Sequence, residues 1–401
     1  MSRAAFKLFS EGKIGCLTLP NRLVRSATYE GASRSGVVSN DMIKLYEELV
    51  AGKVGMIITG LMLVAKSIKN SSTGYPTYKL RIIEGVEKLA NVVHGAGTGC
   101  KIIGQVGQAN FDAAASAYPT PFSNSKKRRI TKEEIRLFEE LCVASIIRLK
   151  DAGFDGVQLH AAHGYFLSSF LSPFMNSRTD EYGGSITNRA RIIRNIVKEA
   201  REKVDDFPIL IKMNCTDYVK GGTNINSFVD MAREMENIGI TAIEISGGIS
   251  ECLVHTEREL GFKPVFKSPE AHTGIFSIEK QCYHLPFAEK LNLSIPLILV
   301  GGNRNVERLE EVIQQGNVDF ISMSRPLICE PDLPLRWFNN QGKSEAACIA
   351  CNSCYFPIFG PDKSIPYDGP ICVFKEDKQL YKRAQEWIVS WVGTHLISDE
   401  R

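Results

Sequence analysis

Residues 160–191 read HAAHGYFLSSFLSPFMNSRTDEYGGSITNRAR, and the fold turns on this stretch. It follows the apolar run 154–159, punctuated by Gly153 and Gly156. Residues 155–160 are therefore predicted to form a short buried strand with His160 at its carboxyl end and His163 and Tyr165 just beyond. The carboxyl ends of parallel strands are where barrel and doubly wound enzymes carry their chemistry.

The same unit recurs along the chain. Short apolar runs that end in Gly, Ser, Asn or His stand at 22–27, 55–60, 101–106, 155–160, 208–214, 242–246, 296–301 and 319–324, and helical periodicity fills the gaps. Thr131 and Glu134 form a predicted capping box, after which Ile135, Phe138, Leu141, Cys142, Ile146 and Leu149 fall on one face. Segments 227–238 and 306–315 behave alike, the latter stopped by Gly316. Eight strand–helix units predict a closed (β/α)8 TIM barrel, sealed between the first and eighth strands, because closure leaves no open edge. Residues 6–19, alternating around Gly12 and Gly15, are predicted as a hairpin covering the barrel floor. The pattern stops at Asn340. The expected organisation is a barrel over 1–340 and an arm over 341–401, with a cysteine-containing loop and a terminal helix from about Glu376 to Trp391.

The chain has 401 residues, 44% hydrophobic, with a formal charge of +3. That balance is too mild to imply nucleic acid as a partner, and the basic run 126–129 reads as a solvated loop face. The longest apolar stretch, 54–65, is too short to span a bilayer, and no signal-like region follows Met1. A cytoplasmic protein acting on a small molecule is expected, and a homodimer built partly by the arm after Asn340. Eleven cysteines without a secretory signal argue against a disulfide framework. Three of them are tightly spaced, Cys348, Cys351 and Cys354, with Cys372 following, which has the look of an iron–sulfur or zinc site as against reduced structural thiols.

Three readings of His160 and His163 compete on spacing alone. They are metal ligands lacking an obvious third partner, as in a metal-dependent barrel hydrolase; structural histidines; or a hydrogen-bonding clamp for a substrate oxygen with Tyr165 as proton donor. Longer motifs separate them. His160-Ala-Ala-His163-Gly-Tyr165, Phe170-Leu-Ser-Pro173, Asn176-Ser-Arg178-Thr-Asp180-Glu-Tyr182-Gly-Gly184 and Asn188-Arg189 resemble, in order, the signature of the old yellow enzyme family of flavin-dependent ene reductases. Asn21-Arg22 with Ser26, Ala27 and Thr28 on the first strand, Gln105 on the third, Lys212-Met-Asn214 on the fifth, Gly301-Gly302 on the seventh and Ser324-Arg325-Pro326 on the eighth extend the resemblance over residues 6–337.

The resemblance implies FMN held at the barrel mouth and NAD(P)H as reductant. Gly301, Gly302, Ser324 and Arg325 would take the phosphate, Gln105 the pyrimidine edge, and Lys212 the charge of the reduced ring, with Ser26, Ala27, Thr28 and Gly60 completing the cofactor set. His160 and His163 would hold the oxygen of an activated alkene, and Tyr165 would protonate its α-carbon. Arg178, Asp180, Tyr182, Arg189 and Arg191 are expected to brace the loop. Two departures stand out. Many relatives continue the third-strand motif with His, Gly and Arg, where this chain has Val106-Gly107-Gln108-Ala109-Asn110-Phe111, and both Thr28 and Tyr29 contend for the place beside the flavin. Longer relatives resembling dienoyl-CoA reductase and trimethylamine dehydrogenase carry a four-iron cluster after the barrel, with wider spacing between the second and third cysteines. They add electron-relay domains that this chain, ending at Arg401, does not include. A reductase or amine dehydrogenase of that type is the alternative. Substrate choice is expected to lie in loops 110–127 and 249–275.

Overall fold

The computed structural model describes residues 2–30, 37–69, 76–80, 84–109, 112–119, 126–263, 268–360 and 370–396. The barrel strands are β1 (Leu23–Arg25), β2 (Met56–Ile58), β3 (Lys101–Gly107), β4 (Gly156–Ala161), β5 (Ile209–Asn214), β6 (Ile243–Ser246), β7 (Leu297–Leu299) and β8 (Phe320–Met323). All are parallel and pair in chain order. The ring closes where β8 meets β1, with Ile321, Ser322 and Met323 opposite Leu23, Val24 and Arg25. Each of the eight predicted runs coincides with one strand of this (β/α)8 barrel, β3 and β4 running one residue past theirs.

Side chains alternate along each strand, so one residue in two faces the barrel axis. The lower inward layer is apolar: Val24, Met56, Ile58, Ile103, Leu210, Ala242, Ile298 and Phe320 pack together with Ile14 and Leu19. Those last two come from the hairpin Gly12–Ile14 and Leu17–Leu19, which closes the floor through a two-residue turn at Gly15 and Cys16. The hairpin is shorter than predicted. Residues 6–10 do not join it, because the N–H groups of Lys7 and Leu8 donate to the Glu310 carboxylate, 2.9 Å each, in a 3-10 turn.

Outward-facing residues pack under the helices. Helix α1 (Asn40–Ala51) starts at Ser39, whose hydroxyl accepts from Met42 N, and α2 (Glu87–Gly95) precedes β3. The predicted capping box opens α3 (Lys132–Asp151). Helices α4 (Arg191–Val204) and α5 (Ile225–Ile238) follow β4 and β5. Between β6 and β7 the helix shrinks to one turn, α6 (Leu285–Ala288), and α7 (Val306–Gln315) ends at Gly316, with φ +80°. Past the barrel, the arm is stapled to the start of α7, where Ala346 N donates to Arg304 O at 2.8 Å and Val306 N to Ser344 O at 3.1 Å. The terminal helix α8 (Lys378–Leu396) joins Phe356 and Val373 in a small core of its own through Leu380 and Ala384. Among the described residues no helix is long and apolar enough to cross a membrane. Of the two loops expected to govern substrate choice, 110–111, 120–125 and 264–267 lie outside the described residues.

Candidate active site

One step up from the apolar layer, the inward positions turn polar: Ser26, Gln105, Lys212, Glu244 and Ser322, each two residues beyond an apolar residue of the lower layer, and Gln158, two beyond Gly156. Above them opens a cavity of about 930 Å³ at the carboxyl ends of the strands. That is the size of a cofactor site, at the end of the barrel where such sites form. It is lined by His160, His163, Tyr165, Ser26, Ala27, Thr28, Gly60, Gln105, Lys212, Gly301, Gly302, Ser324 and Arg325, so all the cofactor and catalytic candidates share one space.

His160, the penultimate residue of β4, lies beside Lys212 of β5 in register. Its ring lies 5.1 Å from those of both His163 and Tyr165, and the latter two stand 6.4 Å apart. His163 adopts a left-handed backbone, φ +64°, ahead of Gly164 at +73°. Asparagine 214 holds that conformation by accepting from His163 N at 3.0 Å, and Nε2 of the ring meets Ser246 Oγ at 2.8 Å. Burial and the Lys212 ammonium press the His160 imidazolium down to about 3. His163 is lowered by burial and by His160, so both rings are neutral at physiological pH. The Nδ1 atom of His160 is buried without a hydrogen-bond partner among the described residues. Burial, with the Glu270 carboxylate nearby, raises Tyr165 and keeps its phenol protonated.

Thr28 and Tyr29 both reach the cavity. The Thr28 hydroxyl is buried, 2.8 Å from Ser324 Oγ and bonded to the Arg25 guanidinium, while Tyr29 is half exposed at the rim. Gly107 replaces any longer side chain where a Cβ would sit 3.0 Å from His160 Cβ. Gln108, in the altered third-strand motif, is buried, lines the cavity and accepts from Phe166 N at 3.1 Å through its carbonyl.

At the opposite end, Gly301 and Gly302 have φ of +125° and +73°. A Cβ on Gly301 would lie 2.7 Å from the Tyr283 ring, so only glycine lets the backbone approach there. Among the described residues Arg325 makes only long hydrogen bonds, 3.4 Å to Asn352 Oδ1 and 3.5 Å to Ala350 O. Burial works against its charge, but Tyr283, Cys348 and Cys354 around it raise its pKa overall. A glycine cradle beside an under-occupied guanidinium suits a phosphate. An orphaned imidazole nitrogen, an amide at Gln105 and a lysine at the far end suit the ring system of FMN, and on these observations the residues fit that group.

Several contributors had escaped the sequence reading. Glu244, fully buried, stands 3.4 Å from Lys212 Nζ, and Gln158 bridges it to Gln105. Below Thr28, the buried Arg25 sits near Glu30, which burial pushes up to about 7 and Tyr46 bonds at 3.1 Å. His272 stacks between Phe262 and Tyr283, centroids 3.5 and 3.8 Å away, and Glu270 and Arg304 enter from loops. An acid within an apolar strand is the available signal for Glu244. The loop residues carry no periodicity to read.

The bracing role expected of the arginines is met. Arg178 forks onto Asp180 at 2.9 and 2.6 Å and donates to Ala115 O and Ile130 O, 2.9 Å each. Arg189 donates to Leu171 O and Gly184 O, and Arg191 to Glu181 O. The Arg178 fork, with the Tyr182 N–H and Arg129, pulls Asp180 well below the ordinary carboxylate range.

Cys348, Cys351, Cys354 and Cys372 line one small cavity of about 20 Å³, which shares Arg325, Cys348 and Asn352 with the large one. Every cysteine is a free thiol. A fifth, Cys329, donates to Cys372 and draws that thiol down to about 7. Zinc needs thiolates within about 4 Å of one another, given Zn–S bonds of about 2.3 Å. Among the described residues no three metal-ligating side chains come close enough to hold an ion, so the zinc expectation does not match the thiols where they stand. The same holds for His160 and His163, which have no third ligand among the described residues.

Comparison with known proteins agrees with this geometry. The NADH:flavin oxidoreductase / NADH oxidase family matches residues 7–343. The NADH oxidase of Thermoanaerobacter brockii is 30% identical over 370 residues, covering 86% of this chain and 52% of that one, so this chain spans about half its length. The NADPH dehydrogenase of Listeria innocua is 30% identical over 334 residues, 81% of this chain and 92% of that protein. The solved old yellow enzyme homologue from Zymomonas mobilis shares the fold, with a TM-score of 0.65 at 22% identity over 86% of this chain and 96% of its own. With its barrel, its cavity and this match across most of its length, the chain belongs to the NADH:flavin oxidoreductase / NADH oxidase family, the old yellow enzyme family its central segment resembles.

Proposed function

We propose that the protein is an FMN-dependent, NAD(P)H-consuming reductase of activated alkenes: enones, nitroalkenes or quinones. The observation that carries this reading is the grouping of His160, His163 and Tyr165 within 5.1 to 6.4 Å over the same cavity that holds Gln105, Lys212 and Arg325. When bound, FMN supplies hydride transfer, from the nicotinamide and on to the β-carbon of the alkene. Arg325, Ser324 and the Gly301-Gly302 backbone would hold its phosphate, Gln105 and Lys212 would hold its ring, and Ser26, Ala27, Thr28 and Gly60 would complete the cofactor set. His160 and His163, both neutral, donate N–H bonds to the substrate oxygen and steady the charge that develops there. The Tyr165 phenol, protonated across the working pH range, delivers the proton to the α-carbon. Anaerobic reduction by NADH or NADPH, followed by reoxidation with a panel of enones, nitroalkenes and quinones, tests the assignment. Protein that purifies colourless and binds no FMN refutes it.

The cavity that the four cysteines share is the basis of a second reading, that the arm carries an iron–sulfur cluster as in a dienoyl-CoA reductase-like or amine dehydrogenase-like flavoenzyme. A cluster spreads its four cysteines wider than a single ion does. Iron and acid-labile sulfide per chain decide it, and their absence leaves Cys348, Cys351, Cys354 and Cys372 as reduced thiols. We also read residues 1–340 as the catalytic barrel and 341–401 as an arm that serves a homodimer, which light scattering of the full and arm-deleted chains would test.

A further inference from the structure

The polar layer beneath the cavity contains a carboxylate that the proposed mechanism does not use. Glu244 is fully buried. Its Oε1 accepts from Ser26 Oγ and Ser322 Oγ, 2.7 Å each, and stands 3.4 Å from Lys212 Nζ. Its Oε2 accepts from Gln158 Nε2 at 2.8 Å. Side chains from β4, β5 and β8, and from Ser26 just past β1, thus converge on one group. Burial opposes its charge, yet Lys212 and these three donors leave it ionised, below the ordinary carboxylate value.

An ionised carboxylate has only acceptors to offer. Gln158 must therefore turn its NH2 toward Glu244 and its carbonyl toward Gln105, whose Nε2 donates to it at 2.8 Å. Gln105 is left with its Oε1 and one N–H to face a ligand. Lys212, for its part, is fixed by Glu244 on one side and by Ser26 Oγ, 2.9 Å away, on the other.

We propose that Glu244 is the positioning residue of the flavin site: through Lys212 it sets how much positive charge faces the ring, and through Gln158 it fixes which way Gln105 points. The inference rests on the flavin reading above. Two-electron reduction adds negative charge to the ring, so an unopposed ammonium would favour the reduced form. A carboxylate 3.4 Å from that ammonium offsets the pull and holds the potential low, as suits a flavin that must hand its hydride on.

The test compares holoenzyme with Glu244→Gln for two-electron midpoint potential and for affinity toward sulfite, an anionic probe that binds oxidised flavin more tightly as positive charge near the ring grows. Glu244→Gln is expected to make reduction at least tenfold more favourable, an upward shift of about 30 mV for a two-electron couple, and to tighten sulfite at least tenfold. Glu244→Asp, which keeps the charge, stays nearer wild type on both measures. A flavin-loaded Glu244→Gln with unmoved potential and sulfite affinity overturns the proposal. Wild type that binds no FMN sinks the flavin reading itself, a separate and recognisable failure. Should Glu244→Gln not fold, Lys212→Met is compared with the double variant Lys212→Met/Glu244→Gln, which removes both charges together. The double must show the higher potential, and equality overturns the proposal.

Discussion

Lys212→Met exposes the energetics of the barrel centre without any cofactor. The ammonium and the Glu244 carboxylate are 3.4 Å apart and both buried. At an effective dielectric constant of about 20 their attraction is about 5 kcal/mol. Methionine keeps most of the volume, so the change chiefly strands one buried carboxylate, for which about 3 to 5 kcal/mol is expected. The hydrogen bonds from Ser26, Ser322 and Gln158 remain and place the result toward the lower end. The loss must depend on pH. In the wild type Glu244 lies below its ordinary value, so its contribution is present above the unfolded value near 4.5 and fades as pH falls through the folded one. In the variant, burial is no longer opposed by Lys212, the folded value rises above the unfolded one, and the protein is increasingly penalised as pH rises from 5 to 8. Urea unfolding of flavin-free wild type and variant at pH 5.5 and 8 measures both effects. A difference below about 1 kcal/mol, or one that is the same at both pH values, would refute the reasoning, and adding Glu244→Gln should recover part of the loss.

Three further outcomes are expected. Tyr165→Phe should slow reoxidation by an enone about 10²- to 10⁴-fold while leaving flavin reduction by NAD(P)H within about twofold, and stopped-flow of the two half-reactions separates them. The histidines are neutral well below pH 7, His160 near about 3 and His284 near about 4 through burial. Enone reoxidation should therefore show no histidine inflection between pH 5.5 and 8. Because unfolded histidine takes a proton near 6.5 and these do not, stability should fall as pH drops from 6.5 toward 4, by roughly 3 kcal/mol for His284 alone. Arg178→Ala removes the fork onto Asp180 and two buried carbonyl bonds, and should cost about 2 to 4 kcal/mol in unfolding free energy; a loss under 0.5 kcal/mol, on the order of a neutral surface change, would show that the bracing is dispensable.

How far the molecule was legible follows from which interactions leave a period in the chain. The eight strands were readable because a parallel strand is buried on both faces and must be an apolar run closed by turn residues. The same alternation explains the site. Val24 inward places Ser26 inward, Ile103 places Gln105, and Leu210 places Lys212, so cofactor candidates named from motifs fall in one cavity. By that rule Ala242 inward places Glu244 inward, and Phe320 places Ser322. The carboxylate that anchors the centre was thus implied by register, though not by any motif. Gln158 follows from Gly156 on β4 in the same way. What had no period to follow was contributed by loops. Glu270 and Arg304 reach the cavity from segments whose course is set by long-range contacts, such as the stack of His272 on Tyr283 and the bond from Tyr283 to Glu270 O. The shortened hairpin has the same origin, since one carboxylate, Glu310, distant in sequence, captures two N–H groups that local pattern assigned to a strand. Strand register thus accounts for the cofactor-facing layer, while the substrate-facing rim is built from contacts that sequence periodicity does not encode. That division explains why the chain's chemistry class was within reach of its sequence and its particular substrate was not.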